Sequence, residues 1–149
     1  MSPPAERVAA VPATTTTTRV RYPETDRMGR VYHTHYLVWF ELGRTELMRE
    51  LGCTYGELED REGVFFPVIR VDATFRAAAH YDETVAILTR LTSAGGARVR
   101  FDYELTREAD GTLLAVGQTE HAAVDRKGRP RRIPGWLRRR LGGDPEPGS

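Results

Sequence analysis

One cysteine, Cys53, stands in a chain of 149 residues. A lone thiol excludes an internal disulfide framework and any metal cluster built on cysteine. No partner base is marked for it, so Cys53 reads as core or helix-end filling. Lysine is as scarce: Lys127 is the only one, and every other base is arginine. Long apolar runs are missing too. Nothing approaches the roughly 20 residues of a membrane helix, so no membrane insertion is expected. The chain also lacks a phosphate-cradling glycine loop, a Gly-x-Ser-x-Gly elbow and a His-Glu-x-x-His helix. Its four histidines form no metal pair: His33 and His35 lie two apart and diverge on a helix, while His80 and His121 are isolated. Neither a metal nor another cofactor is expected.

What remains is ordinary globular material. With 40% hydrophobic and 29% charged residues the chain can bury one core, and its length suits one domain. Residues 1 to 17, rich in Pro, Ala and Thr, have neither the basic start nor the apolar core of a signal peptide. They read as a disordered extension of a cytoplasmic protein, with a domain over 18 to 141 and a disordered tail over 142 to 149. The net charge is only +1 but uneven: residues 126 to 140 hold eight of the 22 bases and no acid. Such a segment attracts polyanions. It lacks interleaved aromatics and no recognition helix stands out, so no nucleic-acid partner is expected.

Periodicity gives the fold class. Tyr36, Phe40, Gly43, Leu47 and Leu51 share one face of a helix over residues 33 to 51, widened by Leu37 and Met48. Gly43 in its middle marks a close approach by another element. After a short helical patch over 54 to 61, the period drops to two. Ile69, Val71, Ala73 and Phe75 alternate with Arg70, Asp72, Thr74 and Arg76. Strands follow over 84 to 92, 98 to 106 and 113 to 124, joined by turns at Ala94-Gly95-Gly96 and Asp110-Gly111. With a short β-like segment over 18 to 22, this predicts an α+β fold: an antiparallel sheet of about five strands around one long helix. A short final helix over 135 to 141 offers Trp136, Leu137 and Leu141 to the domain or to a partner. No internal repeat is evident.

Between the first strand and the long helix lies a polar turn carrying Asp26, Gly29 and His33. A carboxylate at a helix start can act as base or nucleophile beside N–H groups that bind an oxyanion. The same spacing also suits a turn aspartate that only accepts local backbone bonds.

The pattern Asp26-x-x-Gly29-x-Val31-Tyr32-His33-x-x-Tyr36, with Phe40-Glu41 and Arg44 after it, resembles the hotdog-fold acyl-CoA thioesterases, in particular the 4-hydroxybenzoyl-CoA thioesterase branch. The resemblance runs from about Thr18 to Leu137 and includes Pro67, Tyr81-Asp82 and the Asp125-x-x-Gly-Arg-Pro segment. It implies hydrolysis of an acyl thioester to a free acid and a thiol, with Asp26 as base or nucleophile and Tyr32 and His33 lining the site. It further implies close backbone approach at Gly29, an oxyanion hole from the backbone between Val31 and His33, and a homodimer, paired into a homotetramer, with the site at the subunit boundary. Coenzyme A phosphates would then meet Arg98, Lys127 and Arg129. The carrier is coenzyme A or an acyl carrier protein. The rival readings are a hotdog dehydratase or hydratase and a non-catalytic acyl-thioester binding protein.

Overall fold

The computed structural model describes residues 11–142. Five strands form one antiparallel sheet: β1 (Ala13–Arg19), β2 (Val68–Phe75), β3 (Thr84–Gly95), β4 (Arg98–Arg107) and β5 (Leu113–Ala122). Their spatial order is β1-β3-β4-β5-β2. The long helix α1 (Thr34–Glu50) crosses the sheet, and α2 (Gly135–Arg140) closes the chain. This is the predicted α+β arrangement.

The hairpin strands bury alternate residues as expected. Val85, Ile87 and Leu91 of β3 and Val99, Phe101, Tyr103 and Leu105 of β4 are all buried, because period two puts one set of side chains on the helix-covered face. Phe40 of α1 stacks on Tyr103 with ring centroids 4.4 Å apart. Gly43 sits over Ile87 and Thr89, where an added Cβ would fall 2.8 Å from Ile87 Cγ2. Its helix cost of about 1 kcal/mol is therefore offset by close helix–sheet approach. Glycine also closes both hairpins, with φ of +62° at Gly96 and +73° at Gly111.

Four expectations need correction. Residues 13 to 17, predicted as disordered, belong to β1, where β-branched threonines pair with β3 from Ala13↔Arg90 to Arg19↔Thr84. The predicted first strand over 18 to 22 accordingly ends at Arg19, and Tyr22–Glu24 form a 3-10 turn. Leu37 is exposed, and Trp39 is buried in its place on α1. Most consequentially, Ile69, Val71 and Phe75 are not in the core: they are 46%, 44% and 47% exposed. Strand β2 is an edge strand paired only with β5, so an alternation that predicts burial meets no covering layer in the single chain. The expected disorder of residues 1 to 10 and 143 to 149 lies outside the described residues. No helix among the described residues is long and apolar enough to cross a membrane, and these residues hold no cluster able to bind a metal ion.

Candidate active site

The turn before α1 is built by its own side chain. Asp26 Oδ1 accepts from the Met28 N–H at 2.8 Å and the Arg30 N–H at 3.2 Å. The Asp26 N–H donates to Arg30 O, and the Gly29 N–H to Asp26 O. Gly29 has φ +75°, with open space around its Cα, so glycine is needed here for left-handed backbone rather than to admit a neighbour. Asp26 is exposed, and its second oxygen, Oδ2, has no partner among the described residues. One oxygen is thus fixed and the other is available for chemistry.

The same turn occurs twice. Asp26-Arg27-Met28-Gly29-Arg30 is mirrored by Asp125-Arg126-Lys127-Gly128-Arg129, a near-repeat too short for periodicity to register. Asp125 Oδ1 accepts from the Lys127 and Arg129 N–H groups at 2.8 and 2.9 Å, and Gly128 has φ +83°. Hydrogen bonds from the Arg129 and Lys127 backbone hold the Asp125 carboxyl below its ordinary range. Turn geometry alone therefore does not make an active carboxylate. The two turns differ in the chain they lead into: Pro130 after the Asp125 turn, the start of a 17-residue helix after the Asp26 turn.

Of the amides expected to hold an oxyanion, two are engaged. The Val31 N–H donates to Ala79 O at 2.8 Å and the Tyr32 N–H to Glu24 O at 3.0 Å. The His33 N–H has no hydrogen bond among the described residues, whereas the next-turn N–H groups of His35 and Tyr36 donate to Tyr32 O and His33 O, so the His33 N–H is the candidate oxyanion donor. Tyr32 and His33 are exposed beside it, their rings 4.6 Å apart. His33 and Tyr36 both meet Phe75 at the end of β2, at 6.1 and 5.1 Å between centroids.

A backing loop fixes this arrangement. Residues 78 to 83 bond along residues 29 to 31: Arg30 bridges His80, Tyr81 N–H donates to Gly29 O, and Ala79 N–H donates to the Tyr36 hydroxyl at 3.1 Å. Arg107 clamps the loop, donating to Ala78 O at 2.9 Å and pairing with Glu83 at 3.0 Å and Asp110 at 3.1 Å. Glu83 in turn accepts from His80 N–H at 2.8 Å. Sequence reasoning missed this clamp because its members are distant in the chain.

Arg98, Lys127 and Arg129 are exposed but do not join Asp26 within one chain. They share the far end of the sheet, where Ala123 N–H bonds Ala97 O and Ile133 N–H bonds Gly96 O. The Asp26 end is marked by Phe75↔Ala115 and the other by Arg98↔Ala122, so β5 alone separates them by roughly 23 Å at about 3.3 Å per residue. That far end also carries a cavity of about 650 Å³, lined among others by Arg44, Tyr55, Phe65, Phe66, Asp125 and Arg126. A smaller groove of about 250 Å³ shares Glu41 and Arg44 with it and runs between α1 and β2 past Leu37, Val38, Val68 and Val71.

A long helix crossing a five-stranded antiparallel sheet is the hotdog architecture. Residues 20–141 match the family model of the thioesterase-like superfamily, and the chain belongs to that family. It is 38% identical to the putative acyl-CoA thioesterase YneP of Bacillus subtilis over 72% of this chain and 77% of that protein. It is 33% identical to the acyl-CoA thioesterase YbgC of Haemophilus influenzae over 72% of this chain and 77% of that one. Among solved structures, the DHNA-CoA thioesterase of Staphylococcus aureus superposes with a TM-score of 0.78 at 30% identity, covering 84% of this chain and 86% of the other.

Proposed function

We propose that this protein is an acyl-CoA thioester hydrolase in which Asp26 carries the chemistry and a second copy of the chain completes each site. Hydrolysis of acyl-CoA thioesters follows from family membership and from the named relatives. The observation that carries the assignment to Asp26 is its half-used carboxylate, with Oδ1 locked by two backbone amides and Oδ2 without a partner among the described residues, in the turn that leads into the long helix. From that position Oδ2 either takes a proton from water as it attacks the thioester carbon, or attacks that carbon itself and is released by water. In both routes the carbonyl oxygen becomes an oxyanion, met by the His33 N–H and the helix start. The C–S bond then breaks and the thiolate leaves to take up a proton; the first route gives the free acid directly, and the second gives an acyl anhydride on Asp26 that water hydrolyses to the acid. Tyr32 and His33 form the exposed rim, and Gly29 and Val31 hold the backbone that positions it.

The edge strand argues for the second copy. It exposes Val68, Ile69, Val71 and Phe75, and an apolar, unpaired edge calls for a partner. Two-fold antiparallel pairing of β2 with itself sets the Phe75 end of one copy beside the Val68 end of the other. The Asp26 turn of one copy then faces the cavity and basic end of its mate, and the roughly 23 Å separation along β5 within one chain disappears. Arg98, Lys127 and Arg129 of the second copy are thereby brought to the phosphates of coenzyme A. An acyl carrier protein presents a related thioester arm, and its acidic surface suits the same basic segment.

Release of free thiol from a panel of acyl-CoA esters tests this reading. Turnover by the wild-type chain that is lost in a folded Asp26→Asn variant supports it. Normal turnover by a folded Asp26→Asn protein sinks the assignment.

A further inference from the structure

Two successive peptide units in the loop of residues 78 to 83 are hydrogen-bonded on both sides. The first joins Ala78 to Ala79. Its carbonyl, Ala78 O, accepts from Arg107 Nη2 at 2.9 Å, and its N–H donates to the Tyr36 hydroxyl at 3.1 Å. The second joins Ala79 to His80. Its N–H donates to Glu83 Oε1 at 2.8 Å, and its carbonyl, Ala79 O, accepts from the Val31 N–H at 2.8 Å. One set of these bonds thus ends on Arg107 and Glu83, and the other ends on the start of α1. Arg107 Nε and Glu83 Oε2 lie 3.0 Å apart. The ion pair therefore holds one donor and one acceptor side by side, matched to the carbonyl and the N–H they meet.

The loop does not take this shape unaided. No strand or helix includes it, and Asp82 has φ +69°, left-handed backbone that a residue with a Cβ disfavours. Arg107 supplies rigidity from outside. It is the last residue of β4, its side chain is 17% exposed, and a third contact, to Asp110 at 3.1 Å, holds the guanidinium from the hairpin side. The far side of the two peptides bears on the chemistry. Val31 pairs across the turn with Thr25, the residue before Asp26. It also stands two residues before His33, whose N–H is the candidate oxyanion donor. Movement of the Ala79 carbonyl therefore shifts the carboxylate and the donor together, and a misplacement of about 1 Å costs up to about a hundredfold in rate.

From this we infer that Arg107 and Glu83 are positioning residues for thioester hydrolysis, acting through the two peptide units and not on the substrate. The inference rests on the reading of Asp26 and the His33 N–H as the reacting groups. Hydrogen bonds in series polarise one another, so the Glu83 carboxylate also strengthens Ala79 O as the acceptor for Val31. The fork of the guanidinium matters as much as its charge, since it reaches Ala78 O, Glu83 and Asp110 at once. Recognition of coenzyme A phosphates is assigned to the opposite end of the sheet, so loss of the pair falls on kcat and not on KM.

Arg107→Gln and Glu83→Gln test this on the acyl-CoA ester that wild type turns over fastest. Glu83→Gln keeps an acceptor for the His80 N–H and removes the charge that faces Arg107. Each variant is expected to lose about tenfold or more in kcat with KM within twofold of wild type. The double variant should lose little more than the worse single one, because the two residues act as a unit. Arg90→Gln is the control: it breaks an ion pair of 2.6 Å to Glu104, elsewhere on β3 and β4, and should leave kcat unchanged. A smaller loss in folded Arg107→Gln, a change in KM alone, or an equal loss in Arg90→Gln overturns the inference. If Arg107→Gln does not fold, Glu83→Gln carries the same readings. Amide hydrogen exchange followed by NMR gives an answer without turnover. The Val31 N–H should exchange at least tenfold faster in the variants while the amides of β5 keep their rates, and an unchanged Val31 rate also overturns the inference. Faster Val31 exchange, found beside a wild-type chain that releases no thiol from any ester, would sink the thioesterase reading and leave the positioning of the turn standing.

Discussion

At the scale of single residues, the duplicated turn supplies an internal control. Asp26 and Asp125 make the same two hydrogen bonds through Oδ1, so asparagine at either position removes one charge from the same structure. Asp26→Asn is expected to lower kcat by about 10²–10⁴. Asp125→Asn should leave kcat within a few-fold, while the two variants shift the thermal midpoint by a similar small amount. Steady-state kinetics and melting curves on the pair separate chemistry from turn stability, and equal kcat losses would refute the assignment. His121 offers a second residue-scale test. Burial among apolar neighbours pushes its imidazolium down to about 4 from 6.5. The unfolded chain then binds a proton between those values that the folded chain refuses, so stability is full above pH 6.5 and falls as pH drops toward 4. The loss reaches about 3 kcal/mol at about 1.4 kcal/mol per unit. Denaturant titrations across that window should show it, and His121→Gln should flatten the slope.

At the scale of elements, the helix is held by closeness rather than by propensity. Gly43→Ala improves intrinsic helicity by about 1 kcal/mol. Its Cβ, however, would meet Thr89 Oγ1 and Ile87 Cγ2, and overpacking costs about 1–3 kcal/mol. The expected net is a destabilised protein with a lower melting temperature, and a rise would show that α1 can lift off the sheet. The loop of residues 78 to 83 works at the same scale. It has no regular structure, yet Arg107 and Glu83 tie it against the Gly29 to Val31 backbone. The Asp26 turn is therefore braced by β4 as well as by its own hydrogen bonds.

At the scale of the whole molecule, β2 decides the assembly. Val71 is 44% exposed at the middle of an apolar edge. Light scattering is expected to give two or four chains for the wild type. Val71→Arg should shift the mass toward one chain and abolish thiol release together, since charge on an edge blocks strand pairing. A monomer with full activity would remove the second copy from the site. The basic end makes a further prediction, because exposed phosphate contacts are screened over about 8 Å at physiological salt. Replacing Lys127 and Arg129 with neutral residues should raise KM for coenzyme A esters several-fold with little change in kcat. It should also weaken the rise of KM with ionic strength, read from Michaelis–Menten series at several salt concentrations.

The local content of the chain was legible without coordinates. Gly95-Gly96 and Asp110-Gly111 declared their turns, the spacing from Tyr36 to Leu47 declared the buried helix face, and Asp26-x-x-Gly29 declared the carboxylate turn, because each is set by neighbours within a few residues. Strand pairing was another matter. The threonine run over 13 to 17 reads as low-complexity extension until β3 supplies its hydrogen bonds, and the alternation in β2 reads as core until the sheet order leaves it at the edge. The Arg107 clamp, the His121–Phe66 hydrogen bond and the distance between Asp26 and the basic segment belong to the same class. They join residues dozens of positions apart, and no periodicity encodes which of many possible partners a side chain meets. Residue order was enough for the helix, the hairpin turns and the carboxylate turn. Folding in three dimensions had to choose which edge stays open and how far the basic end lies from Asp26, because both depend on the order in which the strands pair.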